Sequence, residues 1–397
     1  MATTVLSGIT VLDLTRVMSG PYCTLMLADM GARVIKVEHP ERGDDTRAWG
    51  PPFIAGESVY FLSVNRNKES LTLDFKQPDG RGLLDRLIDR ADVLVENFTP
   101  GTLQRLGLDF PSLASRCPRL IYASISGYGQ TGPLGDRAGY DAVTQAESGL
   151  MSVTGDVNGR PSRLGVPITD LAAGLFATQG ILAALFARTS TGRGSYVDIS
   201  MCDAAAALLP YHAAAAMTTG DLLPRMGNGH ASIVPYDTFE ARDGLLMLAV
   251  GNDDQWRRFC AAAERPALRD DLRYATNAHR VRERHLLVPL VEAVILTRDR
   301  ADWVSRLRQA GVPCGIVRTV GEAMADPQLA ARDMITVVEH PTAGRLHLVA
   351  NPVTPSGIPT QPDQPPPLLG QQTDAILTTD LGCSAETLAD LHRRRVV

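Results

Sequence analysis

At 397 residues and 42.7 kDa the chain is too long for one ordinary core and predicts two or three domains. Its 44% hydrophobic and 21% charged content, with mean hydropathy −0.03, excludes a disordered or fibrous chain. Thirty-nine Lys and Arg against 44 Asp and Glu leave a formal charge of −5, which excludes the broad positive field that collects nucleic acid or anionic lipid. The six cysteines (Cys23, Cys117, Cys202, Cys260, Cys314, Cys383) are scattered singly, with no C-x-x-C pair and no His at zinc-site spacing. They predict reduced thiols in a cytoplasmic protein and no metal site. No basic and apolar leader opens the chain and no uninterrupted apolar run is long enough for a bilayer, so neither secretion nor membrane spanning is expected.

In chain order, residues 9–14 read as a short buried strand, Gly20-Pro21 opens a helix to residue 29, and residues 33–38 form a second strand after Gly31. This is a βαβ unit. Strands over 70–75, 91–96 and 121–125 alternate with helical periodicity over 82–90 and a helix ending near Cys117, which predicts an α/β sheet flanked by helices across the first part of the chain. Residues 170–188, rich in Ala and Leu, read as a buried helix, 192–200 as a turn and strand, and 203–217 as one Ala-rich helix. The glycine-bearing stretch 220–234 marks a linker or an active-site loop. Residues 235–325, with strands over 245–250 and 311–317, read as a smaller α+β domain. Seven prolines between 352 and 367 predict an extended surface segment, and 385–395 a final helix.

Glu38 at the end of the second strand suggests a ribose-binding acid of a dinucleotide fold. The turn before it argues against that reading. Pyrophosphate needs G-x-G-x-x-G, whereas Met18-Ser19-Gly20-Pro21-Tyr22-Cys23 offers one glycine and a proline that removes a donor.

Several ordered blocks carry a resemblance. Val11-Leu12-Asp13-Leu14-Thr15-Arg16, Gly20-Pro21, Val34-Ile35-Lys36-Val37-Glu38, Asn65-Arg66-Asn67-Lys68, Val95-Glu96-Asn97-Phe98, Arg105-Leu106-Gly107-Leu108, Gly127-Tyr128-Gly129-Gln130 and Val197-Asp198-Ile199-Ser200-Met201 resemble those of the family III CoA-transferases of CaiB/BaiF type, over essentially the whole chain. Residues 43–53 and 230–236 resemble blocks of the succinate-hydroxymethylglutarate CoA-transferases within that family. The resemblance implies an α/β fold with a Rossmann-like large domain and a smaller α+β domain, in an interlocked homodimer. The large domain would take 1–205 and 326–397, a linker helix and loop 206–234, and the small domain 235–325. The active site would lie between the large domain of one subunit and the small domain of the other.

By the same resemblance Asp170 is the catalytic nucleophile, forming an aspartyl anhydride and then an aspartyl-CoA thioester. Read by itself, an Asp at the head of an apolar helix is equally an N-cap, and only the resemblance separates it from Asp141 or Asp156. His39, Lys68, Asn97, Phe98, Arg105 and Met201 resemble residues lining the CoA site. Read alone, Asn97-Phe98 is a strand-end turn and Lys68 and Arg105 are surface charges. Arg47, Tyr140, His230, Ser232 and Tyr236 are the candidates for an acid substrate's second carboxylate. Arg47 could instead pair with Asp44 or Asp45, and His230 could be a loop histidine satisfied by backbone. Met18 replaces a Gln that acts as an oxyanion donor in several family members, so that donor is expected from backbone N–H groups near Ser19 or in the Gly251-Asn252 loop.

The expected reaction moves CoA from an acyl-CoA donor, succinyl-CoA, to a short dicarboxylate of glutarate, hydroxymethylglutarate, itaconate or malate type, with CoA as a substrate and no tightly bound cofactor. An α-methylacyl-CoA racemase is the alternative on the same fold. It needs a His before the Asp of Gly139-Tyr140-Asp141, where a phenol is a poor base. A non-catalytic CoA-binding protein would require loss of the nucleophile.

Overall fold

The computed structural model describes residues 4–353 and 363–397. Two compact units emerge, the first comprising the chain up to Ser148, Gly165–Leu209 and Pro327–Val397, the second Gly149–Leu164 and Pro210–Asp326.

The first unit is built on six parallel strands: β1 (Thr10–Asp13), β2 (Arg33–Glu38), β3 (Lys68–Thr72), β4 (Val93–Glu96), β5 (Ile121–Ser126) and β6 (Tyr196–Ser200). Their order is β3-β2-β1-β4-β5-β6, the doubly wound order. Short runs of Val, Ile and Leu suit strands covered on both faces. One face packs on α1 (Ser19–Asp29), α5 (Ile168–Thr191) and α6 (Met201–Ala207) through Leu27, Ala173, Ala177, Ile181 and Ala204. The other packs on α3 (Pro78–Ile88), α10 (Thr373–Thr379) and α11 (Ala385–Arg393) through Leu84, Leu87, Ile376, Leu377 and Leu391. Two short helices, α2 (Val59–Val64) and α4 (Asp141–Glu147), pack on α1 and on α5 and α6 respectively. Among the described residues α5 alone is long and apolar enough to cross a membrane by length and composition. It packs instead on α1, β5, β6 and α6.

The second unit holds an antiparallel sheet of β7 (Tyr236–Ala241), β8 (Gly244–Ala249) and β9 (Cys314–Ile316), with β8 in the middle. Trp256 and Phe259 of α7 (Asp253–Ala262), Leu287 and Val291 of α8 (Arg284–Ile295) and Trp303 and Leu307 of α9 (Arg300–Gln309) fill its core. A hairpin of β10 (Ile335–His340) and β11 (Gly344–Val349) returns the chain to the first unit, where Val338 and Leu346 pack on Leu62.

The single helix expected over 203–217 is two, Met201–Ala207 and Pro210–Thr218. Pro210 has no N–H and disfavours helix at the residue before it, so the helix ends there, and the units divide at the same point. The segment 149–164, expected within the large domain, belongs instead to the second unit. The expected strand over 311–317 shrinks to three residues, and the proline-rich stretch 352–367 lies mostly outside the described residues.

Candidate active site

In an open parallel sheet, ligands sit beyond the carboxyl ends where the strand order reverses, here between β1 and β4. A cavity opens at that point. Its wall comprises Arg16, Val17 and Ser19 after β1, Asn97 to Pro100 after β4, Ser126 and Gly127 after β5, Arg137 to Asp141, Asp170 in the first turn of α5, and Met201 after β6. The Asn97 side chain fastens the two strand ends, accepting from the Arg16 N–H (2.9 Å) and donating to the Arg16 carbonyl (2.7 Å).

Asp170 is the one carboxylate of this cavity lodged at a long helix's N-terminus. The backbone N–H and the hydroxyl of Ser19 lie toward it and favour its ionised form. Burial first, and then the neighbouring Asp141 charge, outweigh these donors and push its carboxyl up to about 7. The Tyr60 phenol of α2, which feels both acids, is itself pushed up to about 12, mainly by burial. Met18 is buried among Leu25, Met26 and Val64, an apolar position that explains why no side-chain donor stands there. Of the two expected backbone donors, Ser19 faces the nucleophile. Gly251, in the second unit, gives its N–H to Gln255 (2.7 Å).

A buried charge cluster holds the loop from Thr15 to Ser19. Lys36 bridges Asp44 (2.9 Å) and the Thr15 carbonyl (2.9 Å), while Lys68 reaches Asp13 (3.2 Å), the Pro21 carbonyl (2.9 Å) and Asn65 (2.9 Å). Asp44 also accepts from the N–H of Val17, whose φ of 71° is strained for a β-branched residue. Two cations and two anions thus pay for each other's burial beneath the cavity floor.

A second cavity adjoins the first and shares Arg16, Phe98 and Thr99 with it. Leu14, Val37, Leu73, Phe75 and Leu106 supply apolar walls, with His39, Arg42 and Lys76 among the lining. The Arg16 guanidinium lies 5.4 Å from the Phe98 ring centre and 3.2 Å from Asp45. An apolar wall with several cations suits a ligand carrying a planar ring and phosphates. Glu38 is not available to a ribose, because Arg47, Ser70 and the Asp44 N–H occupy its carboxylate.

Residues 6–373 match CoA-transferase family III. The chain belongs to that family. It is 41% identical to succinyl-CoA:glutarate CoA-transferase of Homo sapiens over 392 residues, 99% of this chain and 90% of that protein. It is also 41% identical to succinate–glutarate CoA-transferase of Agrobacterium fabrum, with 94% of each covered. The solved structure of a CaiB/BaiF family protein from Brucella suis superposes with a TM-score of 0.86 at 39% identity, covering 95% of this chain and 99% of that one.

The expected CoA-transferase site residues therefore divide. Asp170, Tyr140, Asn97, Phe98 and Met201 line the first cavity, and His39 with Phe98 the second. Lys68 lines neither. Its side chain is 0% exposed and, burial prevailing over the Asp13 charge, its ammonium falls to about 8, so it is an internal counter-ion and not a phosphate contact. Arg105 is exposed and donates to Thr102 (3.2 Å), outside both cavities. Arg47 pairs neither with a substrate-facing space nor with Asp44 or Asp45. It grips Glu38 through two bonds of 2.7 Å and stacks on Phe61. His230, Ser232 and Tyr236 belong to the second unit, where the Ser232 N–H donates to His230 Nδ1 (3.0 Å), Arg284 holds the carbonyls of His230 and Ala231, and Tyr236 lies 5.4 Å from His230. Arg42 and Lys76 went unread as site residues, while Ser19 was expected only as a region of backbone donors and Asp141 only as a rival to Asp170. Their signal is positional, each lying just beyond a sheet strand or at a helix start, which becomes visible only once the strand order is known.

A Cβ on Gly174 would lie 2.7 Å from the Ser19 carbonyl oxygen, so only glycine lets α5 approach α1 closely enough to present Asp170 to Ser19. Gly174→Ala should destabilise the CoA-transferase by about 1–3 kcal/mol in urea unfolding. Its turnover per folded molecule should fall as well, because the two helices carry the two halves of the nucleophile's contact.

Proposed function

We propose that the protein transfers CoA from succinyl-CoA to glutarate or a similar short dicarboxylate, with Asp170 as the covalent carrier. The observation that carries this reading is the Asp170 carboxylate in the cavity wall beside Ser19, in a chain 41% identical to relatives named for these two acids.

A carboxylate oxygen of Asp170 attacks the thioester carbonyl, the C–S bond breaks, and CoA thiolate leaves behind a mixed succinyl-aspartyl anhydride. The thiolate then attacks the aspartyl carbonyl and releases succinate, leaving an aspartyl-CoA thioester. Glutarate repeats the two steps in reverse, so that glutaryl-CoA departs and the Asp170 carboxylate returns with no net proton consumed. The Ser19 N–H and hydroxyl, which lie toward the carboxylate, stabilise the oxyanion of each addition. The nucleotide end of CoA occupies the second cavity, with its phosphates near His39, Arg42 and Lys76, and the thioester arm passes Phe98 and Arg16. CoA is thus a substrate and not a resident cofactor.

The proposal includes an interlocked homodimer in which a partner's small domain completes the site with His230, Ser232 and Tyr236. The family resemblance supports it, as do the exposed Leu175, Phe176 and Phe186 of α5. All six cysteines are free thiols, which favours the cytoplasm or another reducing compartment.

Purified protein with succinyl-CoA and a panel of free acids, read by mass spectrometry of the acyl-CoA products, tests the reaction. Glutarate should exceed valerate by about 100-fold or more in kcat/KM, since a site built for a second carboxylate leaves its donors unpaired with a methyl group. Equal values would overturn the dicarboxylate reading. Light scattering should give twice 42.7 kDa.

A further inference from the structure

We propose that Asp141 is a positioning residue for the nucleophile: its carboxylate locks the first turn of α5 through Thr169 and sets a second negative charge against Asp170. This rests on Asp170 being the nucleophile. Gly127 and Gly139 pack backbone to backbone, a Cβ on Gly127 falling 2.4 Å from the Gly139 Cα, and this approach carries Tyr140-Asp141 across the carboxyl end of β5. Asp141 Oδ1 then accepts both the Thr169 N–H (2.9 Å) and the Thr169 hydroxyl (2.8 Å), while Oδ2 accepts from Gln145 (2.8 Å). Thr169 and Gln145 are buried, so these bonds have no water to replace them. Fixing Thr169 fixes where the next residue, Asp170, begins its side chain.

The two Thr169 bonds need only one acceptor oxygen, which an Asn would also offer while giving up the Gln145 bond to Oδ2, so the charge of Asp141 does something separate. Ser19 of α1 and Tyr60 of α2 face Asp170 from the packed helices, and Arg16, Asp45, Arg137 and Tyr140 share the cavity wall. Both of these cations are already paired, Arg16 with Asp45 (3.2 Å) and Arg137 with Glu147 (3.1 Å). Asp141 is therefore the charge that bears on Asp170, making it a more basic and hence stronger nucleophile that is still partly ionised at neutral pH.

Two measurements on the full-length protein test this. In the substrate-free wild type, carboxyl carbon-13 NMR should show Asp170 titrating above the ordinary carboxylate range. In Asp141→Asn, the Asp170 titration and the acid limb of kcat/KM should both move to lower pH. At pH 6 the variant should keep about threefold more of its own plateau rate than wild type, while the plateau falls about tenfold. Thr169→Val should lower kcat and leave the acid limb where it is. An Asp170 titration unmoved in Asp141→Asn would overturn the proposal. That readout does not depend on turnover, so failure here is distinct from failure of the transferase reading, which Asp170→Asn addresses.

Discussion

Asp170→Asn is expected to lower CoA transfer by about 10⁴-fold or more in kcat, while the variant folds and, above pH 7, is more stable than the wild type. The amide keeps the shape of the carboxylate but cannot form an anhydride that turns over. The stability gain follows from the site's electrostatics. Burial and Asp141 raise the Asp170 carboxyl from 3.8 to about 7, so the folded protein holds its proton more tightly than the unfolded chain. Below pH 3.8 both states are protonated and nothing is lost. As pH rises through about 7 the folded state must carry the strained charge, at a cost of at most about 4 kcal/mol. Urea unfolding of both proteins should therefore coincide near pH 4 and diverge in favour of Asp170→Asn by pH 8. Near-wild-type turnover in the variant would end the nucleophile assignment, and equal stability at pH 8 would show that Asp170 carries no such strain.

Lys68→Met is expected to be among the most damaging substitutions for stability, at about 3–5 kcal/mol, because it strands Asp13 in a site with no water. Asp13 is 0% exposed and is held well below the ordinary carboxylate range, the Lys68 and Lys36 charges overcoming its burial. The substitution also separates two roles for this lysine. A phosphate contact would raise the KM for succinyl-CoA and leave the unfolding midpoint alone. An internal counter-ion shifts the midpoint and leaves that KM unchanged in the folded fraction, which is the outcome expected here. Guanidinium unfolding alongside donor KM decides between them.

The difference between Lys68 and Asn97 illustrates how far residues reveal their roles before a fold is known. Both stand in blocks shared with the family, and both sit at strand ends. Asn97 follows the short apolar strand Val93–Glu96, so its place at the carboxyl edge is a local inference. Lys68 opens a strand at its amino end, and whether its four-carbon stem leads outward or inward depends on Asp13, 55 residues earlier. Arg47 is a similar case. Asp44 and Asp45 are its neighbours in sequence, yet Glu38 takes its guanidinium and Phe61 supports it. Charge pairing is long-ranged in sequence and short-ranged in space, so the nearest acid along the chain is a poor guide to the partner.

What the sequence determined by itself is whatever depends on periodicity and local stereochemistry. The strand Arg33–Glu38 has the bounds its apolar run predicts, and the α/β alternation follows from the switching period of hydrophobic residues. The helix of Asp170 follows from its Ala and Leu content, and the family follows from the ordered blocks. Tertiary structure alone decided the strand order that places the cavity between β1 and β4 and the approach of α5 to α1 that turns Ser19 toward Asp170. It also decided which charges are buried together and which face the cavity. These are contacts between segments tens to hundreds of residues apart, set by packing and by the need to pair buried charge, and no local pattern in the chain encodes them.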